Sequence, residues 1–269
     1  MLKAARSPHV RRINRTSNGS IGLFCFNGFI AMSATSSATP ENRILKEKAS
    51  GHNQQFSPRA ILTVLVVVAI GVIAELIEAN IQAPTHPTLD PFPQVISFWD
   101  ARAFLWINNG LANQYLGWVF SILTRLGSTD PILVVSVLLF AVGRKKEGAL
   151  LFTSVILGSL VTLPLKLAVP RPRPYMTIPA TIAYGMELGS SFPSGHSMRA
   201  FASACVLSRF WSRFAPAFFV LAVLVAFSRV YLGLHYPSDT LIGASIGLIV
   251  GYLSVRFQDK ILKLFRLEA

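Results

Sequence analysis

Apolar residues in this chain come in long continuous runs, without the alternation of a half-buried strand. Six such runs can be marked: AILTVLVVVAIGVIAELIEANI (60–81), PILVVSVLLFAVG (131–143), GALLFTSVILGSLVTLPLKL (148–167), HSMRAFASACVLSRFW (196–211), APAFFVLAVLVAFSRVYLGL (215–234) and TLIGASIGLIVGYLSVRF (240–257). A helix that spans a bilayer needs about 20 predominantly apolar residues. The first run is long enough alone. The second is short and takes length from YLGWVFSILTRLGSTD before it; the fourth is less apolar and rich in small residues. The expected fold is all-α: a polytopic membrane helical bundle of about six transmembrane helices. Between the first two spans, FPQVISFWDARAFLWINNGLANQYLGW carries Trp99, Trp106 and Trp118 in an amphipathic setting. Helices lying at the membrane interface have that composition. In the sixth run, Gly243, Gly247 and Gly251 share one helical face. Small residues at that spacing let helices approach closely, here within one bundle.

Three parts follow: a basic N-terminal tail over 1–59, a membrane domain over 60–258 and a basic C-terminal tail over 259–269. The first acidic residue is Glu41, preceded by Lys3, Arg6, Arg11, Arg12 and Arg15. The first segment reads as a disordered basic tail; an Arg-rich, acid-poor presequence and a start at Met32 are the alternatives. Composition supports the membrane reading. Of 269 residues, 52% are hydrophobic and 14% charged, against about 25% charged in soluble domains. The net charge of +13 does not point to nucleic acid, because the basic residues lie at the chain ends and in short loops between apolar runs. Cys25 and Cys205 form no readable disulfide framework or metal cluster.

With the N-terminus inside, the basic tail, Arg144 to Lys146, Arg209, Arg213 and the C-terminal Lys and Arg residues all fall on the same side. Both termini are therefore expected in the cytoplasm. Arg102, Arg125, Lys166, Arg171, Arg173 and Arg229 fall on the opposite side. Four of these lie in two places, and a local breach of the charge rule calls for a function.

Three stretches meet that outer side: KLAVPRPRP (166–174), SFPSGHS (191–197) and SRVYLGLHYPSD (228–239). Their convergence would join Lys166, Arg171, Arg173, Arg229, His196, His235 and Asp239. A single histidine or arginine at a span end is usually interfacial or snorkelling; seven ionisable groups at three junctions are harder to dismiss. Arginine offers a planar fork for phosphate oxygens and lysine a point charge. The Pro-rich PRPRP holds its two arginines in different directions, so one of them is expected at the phosphate. PSGH would open a helix whose N–H groups bind an anion, with Gly195 allowing close approach. Two histidines can divide phosphoryl transfer between attack on phosphorus and protonation of the leaving oxygen. Asp239 would accept the N–H of the attacking histidine. No metal and no cofactor is expected: Asp239 is the one acid in these stretches, and no paired-carboxylate or His-x-x-x-His spacing occurs.

The stretches resemble the three signature motifs of the type 2 phosphatidic acid phosphatase superfamily. These are Lys-x6-Arg-Pro (Lys166, Arg173, Pro174), Pro-Ser-Gly-His (Pro193 to His196) and Ser-Arg-x5-His-x3-Asp (Ser228, Arg229, His235, Asp239), each complete and in order. The resemblance covers roughly 130–257. It implies a six-helix membrane enzyme without metal. His235 would form a phosphohistidine, Asp239 would support it and His196 would protonate the leaving group. Lys166, Arg173, Arg229, Ser194 and Gly195 would bind the phosphate. Arg171, outside the motif, is assigned as an accessory contact for a second phosphate. The expected partners are a membrane lipid substrate and the bilayer, with the site on the extracytoplasmic or lumenal face. Candidate substrates are polyprenyl diphosphates, phosphatidylglycerophosphate and phosphatidate; Arg171 and His86 would suit a diphosphate. Glu75 and Glu78, near the outer end of the first span, would pair with a basic neighbour or meet headgroups. Two other readings stand beside this one: a lipid-binding or lipid-translocating protein without catalysis, and a vanadate-dependent haloperoxidase, whose known members are soluble.

Overall fold

A computed structural model of the chain describes residues 90–267, a short hairpin and the helical positions Ala69 and Ile73. The hairpin pairs β1 (Leu23–Phe26) with β2 (Phe29–Met32), antiparallel, within the unit Met1–Phe56. It falls in the segment expected to lack structure. The rest of 1–59, most of the expected first span at 60–81, and His86 lie outside the described residues. Everything described below belongs to the second unit, Ser57–Ala269.

Helix α1 (Gln94–Asn108) buries Asp100, Phe104 and Asn108, a stripe at four-residue spacing, and exposes Phe98, Trp99 and Trp106. Its end is pinned by Asn108, whose Nδ2 donates to the carbonyls of Ile182 (2.9 Å) and Tyr231 (2.8 Å) and whose Oδ1 accepts from Ile182 N–H (2.8 Å). Helix α2 (Gln114–Leu123) starts at Asn113, whose side chain caps Tyr115 and Leu116 N–H. A 3-10 turn over Thr124–Gly127 links it to α3 (Thr129–Ala141). The short second run and the segment before it form two helical pieces that meet at a bend of 53°. Helix α4 (Lys145–Ala168) runs 24 residues, and α5 (Pro174–Thr177) is one turn. Then come α6 (Gly195–Phe210), α7 (Ala215–Tyr231), α8 (Pro237–Arg256) and α9 (Gln258–Leu264).

Among the described residues three helical stretches are long and apolar enough to cross a membrane: α4, Ser212–Tyr231 and α8. The bent α2–α3 pair makes a fourth if it is one broken span. The fourth apolar run, α6, is 16 residues long and forms the middle of the bundle, packed against α4, α7 and α8. Its small residues, with Ala202, Ala204 and Val206 buried, suit that position. The C-terminal segment differs from the tail expected there. It continues as α9, with Leu262 and Phe265 buried beside Leu150, Leu151 and Val155 of α4. Apolar residues three to four apart give α9 a buried stripe, which its lysines obscure in a reading by charge.

The α6–α8 contact explains the glycine stripe. A Cβ at Gly247 would lie 2.3 Å from the Met198 carbonyl oxygen, and one at Gly243 would lie 2.3 Å from that of Ser194. Both obstacles are backbone, so the helices would have to separate. Gly247→Ala is expected to destabilise the protein by about 1–3 kcal/mol, the usual cost of overpacking. A lowered apparent Tm in detergent would register this.

Candidate active site

The proline-spaced segment after α4 gives its two arginines different partners; in a polyproline-type chain, with three residues per turn, residues two apart lie on different faces. Arg173 turns inward. Its guanidinium donates to the carbonyls of Leu188 (3.2 Å), Gly189 (3.2 Å) and Leu234 (3.1 Å), pairs with Glu187 (3.1 Å), and lies 3.3 Å from His235 Nε2. Arg171 turns the other way, to Asp90, Asp100 and Asp239. It is therefore committed to carboxylates and is not placed as the second-phosphate contact expected from the sequence. Lys166 is buried in the last turn of α4.

Helix α6 begins at Ser194, whose hydroxyl caps the helix by accepting from Ser197 N–H (3.4 Å) and Ser197 Oγ (3.1 Å). That hydroxyl is fully buried, so what this turn offers an anion is main chain. The N–H groups of Gly195 and His196 precede the first intrahelical bond, Met198 N to Ser194 O (3.1 Å). The His196 ring meets Ser128 Oγ at 3.2 Å through Nε2. Arg199, one turn on, donates to the Gly127 carbonyl (3.0 Å). Arg229, in the last turn of α7, is 1% exposed; it donates to Thr124 Oγ1 (3.1 Å) and pairs closely with Glu187.

His235 lies in the short link between α7 and α8 and is 1% exposed. Its Nδ1 is 2.7 Å from the Ser191 carbonyl oxygen. A carbonyl can only accept, so the proton is on Nδ1, and the Nε2 lone pair of the neutral ring accepts from Arg173 Nη1 at 3.3 Å. Asp239 Oδ2 is 3.7 Å from Nδ1, within ion-pair range, while the shorter contact of Nδ1 is to the main chain. Asp239 also accepts from Ser191 Oγ and from Tyr236 N–H (2.9 Å), and Oδ1 accepts from Arg171 (2.7 Å). Burial, reinforced by Arg173 and Arg229, pushes the His235 imidazole down to about 4. It is neutral at physiological pH.

Glu187 was not foreseen. It sits in the loop before α6 with its carboxylate between Arg229 and Arg173, and its charge acts on both His196 and His235. Burial alone would raise its pKa; the two arginines, Arg229 first, hold it well below the usual carboxylate range. Beside it a cavity of about 250 Å³ is lined by Thr124, Arg125, Ser128, Tyr184, His196 and Arg229, among others. Thr124, Ser128, Asp90 and Asp100 lie far from the three motif stretches in sequence, whereas Glu187 comes just before the second of them. Only the cluster of polar residues around the second run's bend hinted at two of them. Among the described residues no group of three or more His, Cys, Asp or Glu is arranged to hold a metal ion.

A cationic seat with two histidines at one end of an apolar helical bundle is the arrangement of a membrane phosphatase class. Within that class this chain belongs to the PAP2 superfamily, whose profile matches residues 147–263. It is 33% identical to phosphatidylglycerophosphatase B of Bacillus subtilis over 171 residues, 58% of this chain and 81% of that one. It is 32% identical to lipid A 1-phosphatase of Rhizobium etli over 149 residues, 47% of this chain and 64% of the relative. Among solved structures it resembles Aquifex aeolicus LpxE (TM-score 0.56, 28% identity, 63% of this chain and 99% of that chain). It also resembles the PAP2-type phosphatidylglycerolphosphate phosphatase of Bacillus subtilis (TM-score 0.53, 25% identity, 76% and 98%).

Proposed function

We propose that the chain is an integral membrane lipid phosphatase that hydrolyses a phosphate or diphosphate ester of a lipid, without metal, through a phosphohistidine on His235. The observation that carries this reading is the Glu187 carboxylate held between Arg173 and Arg229. It marks an anion seat beside the unprotonated Nε2 of one histidine and the ring of another. In the reaction, the His235 Nε2 lone pair attacks phosphorus and the P–O bond to the lipid breaks. His196, which takes up a proton once the negative phosphate sits beside it, gives that proton to the leaving oxygen. Water, deprotonated by the now neutral His196, then attacks phosphorus; the P–N bond electrons return to Nε2 and inorganic phosphate leaves. Arg173, Arg229, Lys166 and the N–H groups of Gly195 and His196 hold the charge that develops on the phosphoryl oxygens. The site faces the extracytoplasmic or lumenal side in this reading, where the local breach of the charge rule puts it.

Similarity to phosphatidylglycerophosphatase B, lipid A 1-phosphatase and an undecaprenyl-diphosphatase of Bacillus subtilis supports a lipid phosphate as substrate. The test is phosphate release by purified protein in detergent and EDTA. The substrates are phosphatidylglycerophosphate, undecaprenyl diphosphate, phosphatidate and lipid A. Turnover of at least one in EDTA is expected; release that needs added metal would overturn the metal-free mechanism.

Glu187 and a substrate phosphate cannot share the two arginines, so the carboxylate must leave first. Glu187→Gln removes the competing charge, and a charge-assisted hydrogen bond contributes about 1.5–3 kcal/mol. Competitive inhibition by orthovanadate is accordingly expected to tighten by about tenfold or more. Weaker inhibition would instead mean that Glu187 serves to position the arginines.

A further inference from the structure

Arg171 is buried to 1% exposure among three carboxylates, one of them Asp239 beside His235. Its Nη2 meets Asp90 (3.0 Å) and Asp100 (2.8 Å), and Nη1 meets Asp239 (2.7 Å) and Ser238 Oγ (2.8 Å). Its plane is held between the rings of Phe92 (4.5 Å) and Tyr236 (4.0 Å). Asp100, buried on the inner face of α1, also takes Ser238 N–H (2.9 Å) and the Ser238 hydroxyl. The start of α8 is thus bound twice from α1, once directly and once through Arg171.

We propose that Arg171, anchored by Asp100 and Asp90, is a positioning residue that sets the Asp239–Ser191–His235 relay. The relay is continuous. Arg171 occupies Asp239 Oδ1, which leaves Oδ2 to take the Ser191 hydroxyl. Ser191 in turn offers its carbonyl to His235 Nδ1. Asp239 therefore acts on His235 directly, at 3.7 Å, and through Ser191, whose side chain it holds while the main chain of the same residue fixes the imidazole tautomer. The Ser191 N–H also donates to the Arg171 carbonyl (2.9 Å), which closes the ring of contacts. Loss of Arg171 would leave three carboxylates facing one another and free Oδ1, so that Asp239 can turn and Ser191 can shift. A bidentate fork reaching several acids at once is a task lysine performs incompletely.

The inference rests on the proposed role of His235, and the experiment separates the two. Full-length protein in detergent is assayed for phosphate release from phosphatidylglycerophosphate, or from whichever lipid of the panel turns over. Parent, His235→Ala, Arg171→Gln, Arg171→Lys and Asp100→Asn are compared. Arg171→Gln is expected to lower kcat by about 10²-fold, the cost of a small misplacement of a reacting group. Its KM should stay within a few-fold of the parent, and Arg171→Lys should recover part of kcat. The pH profile adds a readout that mere disruption would not move. The charged and titratable groups facing His235 are Arg173 after α4, Glu187 in the loop, His196 on α6, Arg229 on α7 and Asp239 on α8. All of these stay the same in the Arg171 and Asp100 variants. Removing the Arg171 cation should make His235 easier to protonate and move the acid limb of kcat/KM to higher pH. Asp100→Asn, which leaves more of the Arg171 charge facing the relay, should move it to lower pH. These opposite shifts support the inference. Asp100→Asn, the milder change, carries the test if Arg171→Gln does not fold. Unchanged kcat, a rise confined to KM, or no shift of the acid limb overturns the inference. Turnover by His235→Ala overturns the proposed mechanism instead.

Discussion

His235→Ala is expected to lower phosphate release by about 10⁴-fold or more, as loss of an attacking nucleophile does in covalent catalysis. The imidazole is neutral, its proton is on Nδ1 beside the Ser191 carbonyl, and its Nε2 lone pair lies beside Arg173. In the proposed reaction that lone pair is the nucleophile, exchanging its contact with Arg173 for phosphorus. Folding should survive. The substitution leaves the Ser191 carbonyl without one partner, which costs about 1–3 kcal/mol when the group stays dry. Ser191 itself remains tied to Asp239 and to the Arg171 carbonyl. An apparent Tm measured beside the activity separates loss of chemistry from loss of fold. His196→Ala offers a second view of the same step. With leaving-group protonation and water activation both impaired, it should also be slow, and any phosphoenzyme formed in it should be acid-labile, as a phosphoramidate is. Substantial turnover by His235→Ala in folded protein would remove His235 as nucleophile.

Arg229→Lys should lower kcat/KM by about 10²–10³-fold although it conserves the charge; loss of one oxyanion donor has an effect of that size. Arg229 is fixed at both ends of its fork, by Thr124 on one side and by Glu187 on the other. The Glu187 side marks where a phosphoryl oxygen would bind. A lysine ammonium is a single point of charge that cannot hold Thr124 and span two phosphoryl oxygens together. The loss should fall mainly on kcat if the fork tightens as charge develops in the transition state. It should fall mainly on KM if the fork only holds the ground-state phosphate. Steady-state kinetics on the preferred lipid distinguishes these, and near-parental kcat/KM would take Arg229 out of the phosphate seat.

The helical character of the membrane domain was legible because hydropathy over a run of residues is a local property. The same locality made the motif stretches readable: Arg173, His196, Arg229, His235 and Asp239 sit at fixed spacings around helix ends, and the structure brings them together. The proline spacing alone showed that Arg171 and Arg173 diverge, since backbone direction in PRPRP depends on near neighbours. Which arginine would face the anion, and what would take the other, was not local. Arg171 is claimed by Asp90, Asp100 and Asp239 from distant parts of the chain. The C-terminal segment was read by charge as a tail, and its Leu262 and Phe265 find their place only once α4 is there to cover them.

The apolar helices, the glycine face of α8 and the residue types of the proposed site were legible in the chain alone, because periodicity, hydropathy and motif spacing all act over a few turns. The packing of separate elements set the rest: His235 Nδ1–H donates to the Ser191 carbonyl with Asp239 farther off, and Ser194 uses its hydroxyl as a helix cap. The same packing placed Glu187 between the two arginines, with Thr124 and Ser128 as a further wall of the site. These contacts join loops from separate spans, and the path of a loop follows from how the helices pack, which no short stretch of residues encodes.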